Sequence, residues 1–147
     1  MRCLILAAGR FDDTLRAEIA AGREPRLDVF ELSRVLGADS IDFGDVERSA
    51  DPLVRLTART AGKSAAVAML GFRQRARYDA FFTTGEDIGL PLAVLMKAGF
   101  ANQSHTMIAH TLFPAKKQAF FRLARVGSAI DRVLVYSTSE ERLATDK

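Results

Sequence analysis

The chain has one cysteine, Cys3, and two histidines, His105 and His110, among 147 residues. A single cysteine excludes an internal disulfide. Cys3 sits in an apolar run and reads as a small core residue rather than a nucleophile. The two histidines are five positions apart in one extended stretch, so their rings point to opposite faces and no metal site is expected. No apolar run approaches the roughly 20 residues of a membrane span. The opening Met-Arg-Cys-Leu-Ile-Leu-Ala-Ala-Gly is too short in its apolar core for a signal peptide. It reads as a first strand, and a cytoplasmic protein is expected. Repeats, linkers and low-complexity segments are also missing. The basic clusters lack the interleaved aromatics that stack bases, so nucleic acid is not an expected partner.

What remains is ordinary globular composition, 48% hydrophobic and 27% charged with a net charge of +3. That fits one domain, residues 1–147, with a single core. The run from Arg2 to Ala8 has the continuous apolar character of a strand buried on both faces, and Gly9 ends it. Asp12 or Asp13 caps a helix over Thr14–Ala21, closed by Gly22. Arg26–Leu36 reads as a helix with Leu27, Phe30, Leu32 and Val35 inward and Gly37 as its stop. Ser40–Phe43 is a second strand, ended by Gly44. Asp51-Pro52 starts a long helix to Ala76, with Val54, Ala58, Ala61, Ala65, Met69 and Phe72 on its inner face. Asp79–Thr84, Ser104–His110 and Arg132–Tyr136 are the remaining strands. Helices are expected over Ile88–Ala98 and Pro114–Ile130, and another follows a capping box at Ser137. Strands alternating with helices predict an α/β Rossmann-like three-layer sandwich. Its five-stranded parallel sheet is expected in the order 3-2-1-4-5.

Three nucleotide-binding motifs come close and fail. Phe11 stands where the dinucleotide fingerprint needs glycine. Ala61-Gly-Lys-Ser64 matches the end of a P-loop, but Thr57 holds the first glycine position and no strand precedes it. Leu6-Ala-Ala-Gly9 resembles the opening of sugar nucleotidyltransferases, but Phe11 and Asp13 break that pattern.

Strand carboxyl ends face the ligand crevice of an open α/β sheet. His110 ends the fourth strand there, where an imidazole is held by rigid backbone. Glu86 and Asp87 follow Gly85 at the end of the third strand. They are expected either to hydrogen-bond sugar hydroxyls across from His110 or to cap the next helix. Arg73, Arg75 and Arg77, with Lys116, Lys117, Arg122 and Arg125, form basic clusters. These suit an anionic membrane, a phosphorylated acceptor or a solvated helix face.

Tyr78-Asp-Ala-Phe-Phe-Thr-Thr-Gly85 with the apolar helix Leu90–Ala98, Met107-Ile-Ala-His-Thr111 and Ala129-Ile-Asp-Arg-Val-Leu-Val-Tyr-Ser-Thr-Ser-Glu-Glu-Arg-Leu143 together resemble the N-terminal, acceptor-side domain of GT-B glycosyltransferases of the retaining family four type. The resemblance implies transfer of a sugar, with retention, from a nucleotide-sugar co-substrate to a sugar or lipid-linked acceptor. It implies a C-terminal donor-binding domain as partner, since the donor motif is not in this chain. A chain that ends in the helix beginning at Ser137 is therefore expected to be half of a longer enzyme and inactive alone. His110 matches the family histidine near the reacting sugar. Gly9, Arg10 and Phe11 match its first loop, and Gly85, Glu86, Asp87 and Thr111 are the further substrate-binding candidates. No metal and no bound cofactor are implied. A noncatalytic Rossmann-like binding or partner module remains the alternative, with a nucleotidyltransferase-like domain behind it.

Overall fold

The computed structural model describes residues 1–25, 27–110 and 126–135. It is the expected α/β sandwich, with a five-stranded, all-parallel sheet. The strands are β1 (Cys3–Leu6), β2 (Asp39–Ile41), β3 (Ala80–Thr83), β4 (Ser104–Ala109) and β5 (Arg132–Val135). The helices are α1 (Asp13–Ala20), α2 (Asp28–Leu36), α3 (Phe43–Arg48), α4 (Pro52–Thr60), α5 (Lys63–Arg73) and α6 (Glu86–Ala98).

The strand order is 2-1-3-4-5 in place of 3-2-1-4-5. All four residues of β3 are buried, whereas β2 has three residues and begins with exposed Asp39. The wholly buried strand gains most from the centre of a sheet, and the short, half-wet strand tolerates the edge. Asp79 ties β3 to β1 from below: its N–H donates to Arg2 O at 2.8 Å, and its carboxylate accepts the Arg2 N–H at 2.6 Å. In this order the topological switch lies between β1 and β3, so the crevice opens at their carboxyl ends.

Alternate strand residues divide the core between two layers. Leu4, Leu6 and Phe81 pack beneath Val54 of α4, Val67 of α5 and Leu92 of α6. Met107 and Ala109 continue that layer under Leu90 and Ala93 of α6. Cys3, Ile5 and Phe82 face the other way, against Val29 of α2. Close approach depends on two glycines. A Cβ on Gly71 would lie 2.7 Å from the Leu6 side chain, and one on Gly89 would drive into the Met107 side chain.

Local departures from expectation have local causes. The helix expected over residues 51–76 breaks at Gly62, whose φ of +90° is a conformation that favours glycine. The break resets the helical phase, so Ala66, Val67, Ala68 and Gly71 turn inward and Ala61 is exposed. Gly44 does not end a strand but lies in α3. Asp42 starts that helix as a capping box with Asp45, and the substitution of Asp for the usual Glu or Gln hides the motif. In α2 Val29 is the buried residue and Val35 is 69% exposed. Val126–Ala129 is a 3-10 turn rather than the end of an α-helix. Thr111, Lys116, Lys117, Arg122, Arg125 and the capping box at Ser137 lie outside the described residues.

Candidate active-site crevice

Three strand ends meet at Thr84. Its N–H donates to Leu6 O at 3.1 Å, its hydroxyl accepts the Ala8 N–H at 3.2 Å, and its carbonyl accepts from His110 Nε2 at 3.0 Å. A carbonyl can only accept, so this bond places a proton on Nε2 of His110. The ring of His110 is exposed, and its backbone N–H donates to Glu86 Oε2 at 3.0 Å. Both ends of the residue are thus held by the β3–α6 turn. That turn opens on Gly85, where an added Cβ would lie 2.7 Å from Asp87 Oδ1 and 4.0 Å from the His110 ring.

Glu86 and Asp87 occupy the first turn of α6, where negative charge complements the helix dipole. They then diverge. Glu86 is buried and reaches His110, whereas Asp87 is exposed and accepts the Ser64 hydroxyl at 2.6 Å. That contact brings the start of α5, the Gly62-Lys-Ser64 run, to the crevice rim. Lys63 donates to Glu47 Oε1 at 2.7 Å, and Arg10 stands 3.5 Å from Glu47 Oε2. The Lys63 hydrogen bond leads in holding the Glu47 carboxyl below its ordinary range; the Lys63 and Arg10 charges add to it.

The loop after β1 is fastened from beneath. Asp42 is 8% exposed, and its carboxylate accepts N–H bonds from Phe11 at 2.7 Å, Gly44 at 2.7 Å and Asp45 at 3.1 Å. Gly9 O accepts the Phe43 N–H at 2.9 Å. A Cβ on Gly9 would meet the Phe11 ring at 2.7 Å, at a φ of +156°. The half-buried Phe11 ring packs edge-on against Phe30, with centroids 5.6 Å apart, in the layer beneath α2.

The strand ends therefore gather Gly9, Arg10, Gly85, Asp87 and His110, with Glu86 as a buried support and Phe11 as a core anchor. Sequence reasoning passed over Asp42, Glu47, Lys63, Ser64 and Thr84 as parts of this region. Asp42 and Asp45 form a capping box, but Asp in the place of the usual Glu or Gln weakened its signal. Lys63 and Ser64 were visible as a P-loop fragment but assigned to a helix interior. Nothing local marks Thr84 or Glu47.

His105 is structural. It is fully buried, its Nδ1–H donates to Ala129 O at 3.3 Å, and Nε2 accepts the Thr83 hydroxyl at 3.1 Å. Burial pushes its pKa down to about 4, against the smaller opposing effects of the Ala129 carbonyl and the Asp131 charge. Among the described residues no three His, Cys, Asp or Glu side chains are grouped to hold a metal ion, and no helix is long and apolar enough to cross a membrane.

A cleft of about 300 Å³ lies along the β2 edge, lined by Ser40, Asp45, Arg48, Gln74 and Tyr78 among others. Its side chains are largely paired with each other. Tyr78 donates to Asp39 at 2.9 Å and Arg48 to Asp45 at 2.9 Å. Comparison with protein-family models, curated proteins and solved structures gave no match.

Proposed function

We propose that this chain is the acceptor-side domain of a retaining glycosyltransferase of the GT-B type, acting with a donor-binding domain that supplies the nucleotide sugar. The observation that carries the reading is the double tether of His110. An exposed imidazole stands at the carboxyl end of β4, its Nε2–H on Thr84 O and its backbone on buried Glu86. A ring held this way is preorganised to orient a bound group.

In the proposed reaction the bond from the sugar's anomeric carbon to the diphosphate breaks. A bond to the acceptor oxygen forms on the same face, and the acceptor's proton passes to the leaving phosphate. His110 hydrogen-bonds a hydroxyl of the donor sugar and holds it for attack; it is not assigned as a general base. Arg10, Gly9 and Asp87 line the acceptor side of the crevice. Buried Glu86 keeps the His110 backbone in place.

The test is sugar transfer by a protein carrying this domain with a donor-binding domain. His110→Ala is expected to lower turnover about a hundredfold with the melting temperature unchanged. Turnover near that of the unaltered protein would end the assignment.

A further inference from the structure

The outward face of α4 is composed like a membrane-surface helix. Val54 is fully buried, and Ala58 packs against the same core. On the opposite side Leu53 and Leu56 are 48% and 57% exposed, and Arg55 and Arg59 are exposed beside them. Thr57 and Thr60 turn their hydroxyls back to Leu53 O at 2.8 Å and Leu56 O at 3.0 Å, which leaves this surface poor in polar groups other than the guanidinia.

Charge of one sign fills the run that follows the Asp51 cap. From Pro52 to Tyr78 there are six Lys or Arg residues and no Asp or Glu. Arg73 of that run is paired with Asp51 at 2.9 Å, Lys63 with Glu47 at 2.7 Å, and Arg75 lies over the Phe72 ring at 4.2 Å. Arg55 and Arg59 form no ion pair among the described residues. They sit at i and i+4, where like charges weaken a helix. Arg55 and Arg59 thus place cations around exposed leucines. They are matched to one environment, an anionic headgroup layer over hydrocarbon. Nucleic acid fits less well, because the face offers no ring for a base to stack on.

We propose that α4 docks this domain on an anionic lipid surface, with Leu53 and Leu56 entering the acyl boundary and Arg55 and Arg59 on the headgroups. This does not depend on the glycosyltransferase reading. It also moves the lipid contact away from the Arg73, Arg75 and Arg77 cluster, part of which is engaged within the fold.

Cosedimentation of the chain with vesicles tests it. Binding is expected to phosphatidylcholine vesicles containing a minor fraction of phosphatidylserine, and not to phosphatidylcholine alone. It should weaken as salt rises. Arg55→Gln and Arg59→Gln should each lower the partition coefficient about fivefold. Leu53→Ser with Leu56→Ser should lower it by at least about tenfold at unchanged vesicle charge. Circular dichroism checks that each variant is folded, and the arginine variants decide the matter if the serine pair is not. Arg34→Gln, on α2, should leave binding unchanged. The proposal fails if the unaltered chain does not bind at low salt, or if binding survives the arginine changes. It fails equally if the leucine changes have no effect while heparin competes fully, which would mark a general polyanion surface.

Discussion

The carboxylate of Glu86, 6% exposed, accepts the backbone N–H of His110 at 3.0 Å across the β3–β4 gap. It links the helix that leaves β3 to the residue that follows β4. A carboxylate in the first turn of α6 thereby holds the backbone that carries the imidazole.

Glu86→Ala should act on both stability and turnover. The variant leaves the His110 N–H without this acceptor, and a loss of about 1–3 kcal/mol is expected in urea unfolding. In the proposed two-domain enzyme kcat should fall while KM for the acceptor changes little, because His110 is displaced rather than removed. Glu86→Gln, which keeps an acceptor oxygen, should recover most of the stability. Equal stability of the alanine variant and the unaltered protein would show that the bond carries no weight.

His105 predicts an acid-labile fold. Its pKa is about 4 when folded, against 6.5 for an ordinary histidine. Between these values the unfolded chain binds the proton and the folded chain does not, so stability falls as pH falls. The contribution is complete above about pH 6.5, is lost progressively toward pH 4, and is constant below that, for a total of about 3 kcal/mol. Urea titrations across this window check it. His105→Gln should flatten the dependence while lowering stability at neutral pH.

Phe100 has a φ of +48° and a ring that is 90% exposed. The close of α6 explains the conformation. Ala101 N–H donates to Met96 O at 2.9 Å and Phe100 N–H to Lys97 O at 3.3 Å, a Schellman ending with Phe100 in the left-handed position. Gly99, one residue earlier, is needed where it is, since a Cβ there would enter the Phe72 ring. Phe100→Gly should therefore raise stability by about 1 kcal/mol. Gly99→Ala should lower it, and thermal melts of the two variants should move in opposite directions.

Gly89→Ala tests how closely α6 is seated. Its Cβ would enter the Met107 side chain and lie 2.8 Å from Thr83 Oγ1. Overpacking of this kind costs about 1–3 kcal/mol. Met107→Ala in the same chain should recover part of the loss, and a double-mutant cycle measures that coupling.

Much of this architecture was legible in the chain because its causes are local. Apolar runs such as Cys3–Leu6 and Ala80–Thr83 mark buried strands, and Gly9, Gly37 and Gly85 mark where elements stop or turn. Those stops, with helical patterns alternating between the apolar runs, place His110, Gly9 and Gly85 at strand carboxyl ends and give a parallel α/β sheet. Strand order is different. It depends on which strand gains most from a central place, and that is a comparison among β1, β2 and β3 rather than a property of any one of them. The inward turn of Glu86 belongs to the same class, since its sequence neighbour Asp87 faces out to Ser64, and only the arrival of β4 distinguishes them. The break at Gly62 lies between the two cases. A glycine within a helical pattern is readable, but whether it bends, packs or stops the helix depends on the layer it must meet. Here Leu6 meets Gly71, and the resulting phase of α5 carries Lys63 and Ser64 to the crevice rim.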